Sequence, residues 1–142
     1  MAAPRIGLAL GSGAARGWAH IGVLKALTAA GIEVAVVCGS SIGAVVGAAY
    51  AAGRLPEIEA FARDLNWRAI LGQLDLRPAG GGLFAVERIS RTLIELIGHA
   101  AIETLGLRYG AVATELRSGR EVWLREGDLG VAVGCGRLDQ LL

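Results

Sequence analysis

The sequence predicts a single α/β domain with a mostly parallel central sheet. Short β-branched runs alternate with segments of helical periodicity, which is typical of parallel strands connected by helices. Glycine-containing loops join these runs, and the chain holds 22 glycines in all. A length of 142 residues with 54% hydrophobic side chains suits one domain with a packed core and excludes a disordered chain.

The first half of the chain contains two strand–loop–helix units. The apolar run at residues 5–10 is typical of a strand buried on both faces. A loop at residues 11–17 then leads into a helix over residues 18–30, which ends before Gly31. A strand at residues 34–38 and a helix over residues 42–52 follow. A third, amphipathic helix starts near Pro56, and we expect it to lie on the outside of the domain.

The second half predicts a loop, another outer helix and a hairpin. Pro78 and three consecutive glycines mark residues 75–82 as an exposed, mobile loop, and we expect Gly80 to Leu83 to lie near the functional site. Apolar spacing predicts a helix over residues 86–97. Strand-like runs at residues 109–116 and 121–125 flank Gly119, a pattern typical of an antiparallel hairpin. After Leu129 no periodic pattern follows.

Charge and cysteine content exclude several functions. Fourteen basic residues against 13 acidic ones do not give the basic surface that nucleic-acid binding requires. Cys38 and Cys135 lack a C-x-x-C spacing, so they predict neither a metal site nor a disulfide framework. The uncharged stretch at residues 34–52 changes from strand-like to helix-like at its glycine and serines, which argues against a membrane span. No signal peptide is predicted, and the cytoplasm is the expected location.

The stretch from Gly39 to Gly43 matches G-x-S-x-G and lies between a predicted strand and a predicted helix. In a nucleophile elbow the serine occupies a strained turn, and the flanking glycines leave room where the main chain passes closely. The start of a helix also favours developing negative charge. Two interpretations of Ser41 remain open: a nucleophile, or only the N-cap of the helix.

A second candidate site is the run of small residues from Gly11 to Gly17. Its main-chain amides could form an oxyanion hole, or they could cradle the pyrophosphate of a dinucleotide. The strict G-x-G-x-x-G spacing fails here, although Glu33 supplies an acidic residue about 20 positions further on. A tight turn without any ligand is the third interpretation.

Few other polar residues could assist Ser41. Arg16 could bind an anion, but we expect it to fix the loop by binding carbonyl groups. His20 is predicted to be structural, and His99 to be a solvated cation after an outer helix. A base for Ser41 would then be a carboxylate, and the chain has four aspartates: Asp64, Asp75, Asp128 and Asp139. Asp64 lies on a predicted solvent face, and none of the others forms a motif.

Three blocks of sequence carry a resemblance. They are L-A-L-G-S-G-A-A-R-G-W-A-H-I-G-V-L at residues 8–24, V-C-G-S-S-I-G-A-V-V-G-A-A-Y-A-A-G at residues 37–53, and A-V-A-T-E-L-R-S-G-R-E-V-W-L at residues 111–124. In this combination the chain resembles the patatin-like phospholipase family, in particular its small bacterial members, over about residues 5–129. The resemblance implies a three-layer α/β/α fold with a mostly parallel central sheet.

The resemblance also implies a serine acyl-ester hydrolase that acts in lipid metabolism, on a fatty-acyl ester or phospholipid, through a Ser–Asp dyad. It implies no catalytic histidine, and the sequence itself indicates no metal and no organic cofactor. Ser41 matches the nucleophile, and Gly39 and Gly43 match the elbow glycines. The oxyanion loop matches Gly13, Ala14, Ala15 and Arg16. Peripheral contact of a cytoplasmic protein with membranes follows from such a substrate.

The chain departs from the family's pattern at two places. Ser12 and Ala14 replace glycines of the oxyanion loop, and the downstream D-G-G or D-G-A motif is missing because no Asp-Gly dipeptide occurs. We therefore expect residues 1–142 to form the N-terminal portion of one patatin-like domain, weakly active or inactive, with Asp128 or Asp139 as the available substitutes. An uncovered sheet edge predicts self-association. A catalytically incomplete lipid-binding or interaction fragment, and a nucleotide-binding module, are the alternatives.

Overall fold

The structure is a computed structural model that describes residues 5–65, 81–115 and 117–134. Its strands are β1 (Arg5–Leu10), β2 (Glu33–Ser40), β3 (Arg108–Thr114) and β4 (Glu121–Leu124). Its α-helices are α1 (Ala19–Ala29), α2 (Ile42–Ala51), α3 (Leu55–Asp64), α4 (Gly81–Ile97) and α5 (Leu129–Val133). Short 3₁₀ helices cover Ala14–Trp18 and Ile102–Thr104.

The four strands form one mixed sheet in the order β1-β2-β3-β4. The first three strands are parallel, and β4 is antiparallel to β3. Leu10 pairs with Gly39, which in turn pairs with Ala111, so the carboxyl ends of the parallel strands meet at one edge. The predicted α/β class and the hairpin are confirmed, and Gly119 takes the expected positive φ of 70° in the hairpin loop.

The core lies on one face of the sheet, where α2 packs against β2 and β3. Both crossovers advance in the same direction along the sheet, so right-handed connections place α1 and α2 on that same face. The segment from Gly43 to Ala49 is buried along its whole length. Leu24, Val37, Val46, Ile58 and Leu129 are the largest fully buried side chains.

The opposite face of the sheet is more open. Among the described residues it carries part of the segment around Ile102 to Leu107, while Val36 and Trp123 stay 41% and 42% exposed. Gly7 and Ala9 of β1 also point to this face and are exposed, so the expectation that β1 is buried on both faces is wrong. The reason is that this face of β1 presents Arg5, Gly7 and Ala9, which have little apolar surface to bury.

Two helices differ from the sequence expectations. Helix α4 begins at Gly81 rather than at residue 86, so the end of the predicted loop is helical; residues 75–80 lie outside the described part. Glycine destabilises a helix, so the run of glycines at the first turn gave no signal that the helix begins there. Helix α5 was not predicted, because five residues are too few to show a period. No helix in the described ranges has the length and apolarity needed to cross a membrane.

Candidate active site

Ser41 connects the end of β2 to the start of α2. Its φ of 53° and ψ of −126° lie outside the regions that residues with a Cβ ordinarily adopt. Such a conformation costs about 1–3 kcal/mol and persists only where the surrounding structure enforces it. The strained turn between strand and helix is the feature that a nucleophile elbow requires.

The two glycines that flank Ser41 are required by close main-chain packing. A Cβ at Gly39 would lie 2.4 Å from the carbonyl carbon and oxygen of Gly43. A Cβ at Gly43 would lie 2.2 Å from the Leu10 oxygen and 2.6 Å from the Gly11 oxygen. The elbow therefore packs directly on the end of β1, and both glycines of the G-x-S-x-G pattern have a steric reason.

The Ser41 hydroxyl does not cap the helix. Ser41 occupies the N-cap position of α2, but its side chain makes no capping hydrogen bond. Its main-chain oxygen instead accepts hydrogen bonds from the Ala44 nitrogen at 2.9 Å and the Val45 nitrogen at 3.2 Å. The residue is exposed, so its hydroxyl is accessible at the positive end of the helix dipole.

The glycine loop after β1 reaches the same cavity as Ser41. Ala14 has a φ of 46°, and Ala14 and Ala15 line the cavity into which Ser41 opens. The Arg16 nitrogen donates a hydrogen bond of 3.0 Å to the Gly13 oxygen, so this amide closes a turn within the loop. Of the four residues expected at the oxyanion hole, Ala14 and Ala15 thus lie beside Ser41 with cavity contacts, and Gly13 and Arg16 shape the turn that presents them.

Two further contacts attach the loop to the fold. His20 Nε2 lies 3.0 Å from the Gly11 oxygen, which agrees with the structural role expected for this histidine. Gly17 is buried, and a Cβ there would lie 2.0 Å from Ile42 Cγ2. The Arg16 side chain is exposed, and within the described residues no hydrogen bond ties its guanidinium to loop carbonyls. The main chain and His20, rather than Arg16, therefore fix the loop.

The cavity has a volume of about 540 Å³, within the range of small-molecule sites. Its walls come from the 3₁₀ helix, the start of α2, the middle of α4, the end of β3 and the last residues of α5. Most of these side chains are apolar, including Leu93, Ala111 and Ala132. Ser41, Ser90 and Thr114 are the hydroxyl-bearing residues among the described lining. The space next to Ser41 can therefore accept an apolar group that carries one polar end.

Comparison with known proteins identifies the family. The model of the patatin-like phospholipase family matches residues 8–132. The chain belongs to this family. It is 46% identical over 130 residues to NTE family proteins of Mycobacterium bovis and Mycobacterium tuberculosis, covering 92% of this chain and 36% of theirs. It is 37% identical over 115 residues to the neuropathy target esterase of Drosophila melanogaster, covering 78% of this chain and 8% of that protein.

The patatin-like chain thus spans about a third of the length of its mycobacterial relatives. Its described part brings no carboxylate and no imidazole into the lining of the Ser41 cavity. Asp64 is exposed at the end of α3, and Asp75 and Asp139 lie outside the described residues. The residues that surround Ser41 in the described part do not include a base.

Asp128 has a different function in the fold. Its Oδ1 accepts a hydrogen bond of 2.8 Å from the Val131 nitrogen as the N-cap of α5, and its Oδ2 lies 2.9 Å from His99 Nδ1. Burial alone would raise the pKa of Asp128, but the Val131 amide and His99 outweigh it and lower this pKa below its ordinary value. His99 is 62% exposed, as expected, and pairs with this carboxylate. Asp128 is therefore occupied as a cap.

The geometry of Glu33 does not support nucleotide binding. Glu33 pairs with Arg5 both in the strand register and in an ion pair of 3.1 Å. The glycine loop begins after Leu10, five residues further along β1, which is about 16 Å at the usual rise per residue. An acidic residue that reads a ribose must instead lie at the carboxyl ends of the strands, beside the glycine loop. Within the described residues no cluster could hold a metal ion either.

Sequence reasoning missed several residues of the cavity. Ser90 and Thr114 reach it from α4 and the end of β3, and Ala132 from α5. Ile89 and Leu93 belong to the apolar spacing that predicted this helix, but no signal in the sequence indicated that they border the same cavity as Ser41. The lining depends on how α4 and α5 pack, which no local motif encodes.

Proposed function

We propose that this patatin-like chain carries the nucleophilic half of a serine acyl-ester hydrolase, with Ser41 as the nucleophile. The observation that supports this most strongly is the strained, exposed conformation of Ser41 at the start of α2, beside an apolar cavity. Strain of this kind is costly, and a helix start without it would serve a merely structural serine equally well.

In the proposed reaction the Ser41 oxygen attacks the ester carbonyl carbon. The carbonyl electrons move onto the oxygen, and amides of the loop around Ala14 and Ala15, together with the positive end of α2, stabilise the resulting oxyanion. Collapse of the tetrahedral intermediate expels the alcohol, and the proton of the Ser41 hydroxyl ends on the alcohol oxygen. The described residues at the cavity do not include the base that would carry this proton between the two steps. Water then attacks the acyl-enzyme by the same route and releases the fatty acid.

The acyl chain fits the apolar cavity. Each buried methylene contributes about 0.8 kcal/mol of transfer free energy, and the cavity of about 540 Å³ is large enough for a chain of many carbons. Its alanine-rich wall beside Ser41, from Ala14, Ala15 and Ala44, leaves space for the reacting ester. We therefore propose that fatty-acyl esters are preferred over esters of short acids.

The described residues around Ser41 include no base, and this limits the expected rate. Removing the aspartate of a serine hydrolase lowers kcat by roughly 10⁴-fold, although oxyanion donors retain some rate above water. A cavity whose described lining is apolar and lacks a base favours a second candidate function, lipid binding without turnover. Contact with a lipid surface remains a prediction that follows from either function. A cytoplasmic location and self-association remain predictions from the sequence.

The test compares hydrolysis of p-nitrophenyl butyrate and p-nitrophenyl octanoate by the wild-type chain and Ser41→Ala. Hydrolysis of the octanoate ester that exceeds the buffer rate, prefers the longer chain and is lost in Ser41→Ala supports the proposal. His99→Gln is the matched control, because His99 is exposed and neither it nor its partner Asp128 is among the residues that line the cavity. Equal rates for wild type and Ser41→Ala contradict the proposed hydrolase function. Saturable binding of a fluorescent fatty acid by both proteins would then favour lipid binding.

A further inference from the structure

We propose that His20 is a positioning residue that holds the glycine loop in the geometry needed to stabilise an oxyanion. The inference rests on the proposed function, because it assigns a catalytic consequence to a hydrogen bond outside the cavity. His20 is not among the residues that line the cavity, so it does not touch an acyl chain bound there. Its effect must pass through the main chain of the loop.

The hydrogen bond acts at the point where the loop leaves β1. His20 Nε2 lies 3.0 Å from the Gly11 oxygen. The same oxygen lies 2.6 Å from the position of a Cβ on Gly43, so the Gly11 carbonyl is placed between α1 and the elbow. Since a peptide unit is planar and trans, fixing this carbonyl also fixes the direction of the Ser12 N–H group. His20 therefore orients the first peptide of the loop relative to the elbow.

On its side-chain side, Gly11 has no packing that restrains this peptide. Gly11 is exposed, and a Cβ built on it meets no atom within 4 Å. Glycine without steric neighbours has access to conformations that other residues avoid. The His20 hydrogen bond is the side-chain hydrogen bond that the structure shows on the Gly11 carbonyl. Without it the carbonyl keeps its close approach to Gly43, but the peptide gains freedom to rotate.

The far end of the loop is already fixed by other contacts. The Arg16 nitrogen donates to the Gly13 oxygen, and Gly17 packs so closely on Ile42 that no Cβ would fit. Ile42 directly follows Ser41, so this end of the loop has a fixed position relative to Ser41. With one end held by packing, the orientation of residues 12–15 depends on the end that His20 holds.

The expected kinetic signature is a loss of kcat with little change in KM. A small misplacement of groups that stabilise the transition state lowers the rate by roughly 10- to 100-fold, whereas the apolar contacts that bind the acyl chain are unchanged. His20→Leu removes the donor and retains a similar apolar volume. His20→Gln offers an amide Nε2 donor at a comparable reach, so it should recover most of the lost kcat.

The experiment measures kcat and KM for the octanoate ester with wild type, His20→Leu, His20→Gln and the control His99→Gln. The proposal expects kcat of His20→Leu to fall by roughly 10-fold or more, that of His20→Gln to lie near wild type, and His99→Gln to be unchanged. Equal kcat values for His20→Leu and His20→Gln would overturn it, as would a change confined to KM.

A measurement on the wild-type protein keeps the inference testable if His20→Leu does not fold. Nitrogen-15 spectra of the imidazoles identify which ring nitrogen carries the proton in the neutral form. The proposal expects His20 to be protonated at Nε2, because only then does it donate to the Gly11 carbonyl. A neutral His20 protonated at Nδ1 overturns the inference even where ester hydrolysis is present. Absence of Ser41-dependent hydrolysis, with His20 protonated at Nε2, contradicts the proposed function instead.

Discussion

The strained conformation of Ser41 makes a quantitative prediction for the free energy of unfolding. With φ at 53° and ψ at −126°, Ser41 costs the folded state about 1–3 kcal/mol. Replacing it with glycine removes this strain but adds about 0.5–1 kcal/mol of conformational entropy to the unfolded chain. Since Ser41 makes no side-chain capping bond, no hydrogen bond is lost. The net stabilisation by Ser41→Gly is therefore about 0–2.5 kcal/mol, with a central value of about 1.3 kcal/mol.

Ser41→Ala is the matched control for this prediction. Alanine keeps the Cβ that causes the strain and also lacks the hydroxyl, so its stability should remain close to that of wild type. At about 3 °C per kcal/mol for a chain of this size, Ser41→Gly should unfold about 4 °C above Ser41→Ala. Thermal unfolding followed by circular dichroism, with urea unfolding at constant m-value, measures the difference.

The comparison of the two variants isolates the backbone from the hydroxyl. Both variants should lose all ester hydrolysis, because neither has a nucleophile. A Ser41→Gly variant that is no more stable than Ser41→Ala would refute the argument that the fold forces Ser41 into a costly conformation. Ser41 would then lack the principal structural feature that separates an elbow from an ordinary helix start.

Three further predictions concern the packing around the site. Gly43→Ala places a Cβ 2.2 Å from the Leu10 oxygen and should cost about 1–3 kcal/mol in urea unfolding, whereas Gly22→Ala, in open space on α1, should stabilise by about 0.5–1 kcal/mol. Burial raises the pKa of Tyr109, so above about pH 10 the unfolded state loses the phenol proton first and stability falls as pH rises. This alkaline fall in stability should be smaller in Tyr109→Phe. At neutral pH the same variant should lose about 1 kcal/mol, because it lacks the hydrogen bond to the Ala44 oxygen. Asp128→Ala should lower stability by about 1 kcal/mol at neutral pH and show no difference from wild type well below about pH 4, because the lowered pKa of Asp128 confers stability only while the carboxylate is ionised. Unchanged stability of Gly43→Ala, an alkaline fall in Tyr109→Phe as steep as that of wild type, or an Asp128→Ala effect independent of pH would contradict the respective argument.

Much of the fold and the elbow could be predicted from the sequence, because local patterns encode them. Gly39 packs against the main chain of Gly43, and Gly43 packs against the end of β1, so neither position can hold a Cβ. Such contacts require glycines at a fixed spacing in the sequence. The strand β2 and the helix α2 follow from the change of β-branched residues to alanines. The hairpin follows from the positive φ that Gly119 supplies.

Features that depend on packing between distant segments could not be predicted. The exposure of one face of β1 depends on what packs against the sheet there, and no local pattern shows this. Helix α5 is held by Asp128 and by close contact with Ile94, for which Gly130 and Gly134 leave room. The same glycines reduced the apparent helical propensity of this segment. Ser90 and Thr114 entered the cavity through packing of α4 and β3, and no motif marks them.

The most direct test of the account is labelling of Ser41 by a fluorophosphonate, read by mass spectrometry of the folded chain and its peptides. The account predicts one adduct per chain, on the peptide that contains Ser41. The adduct should be absent when the chain is denatured before labelling and absent in Ser41→Ala. Labelling should be reduced in Gly43→Ala, because the added Cβ distorts the elbow. Modification requires only a reactive hydroxyl beside oxyanion donors, so it reports on the nucleophile even where turnover is slow. A folded wild-type chain that stays unlabelled at Ser41, or that is labelled equally after denaturation, contradicts the claim that the fold presents Ser41 as a nucleophile.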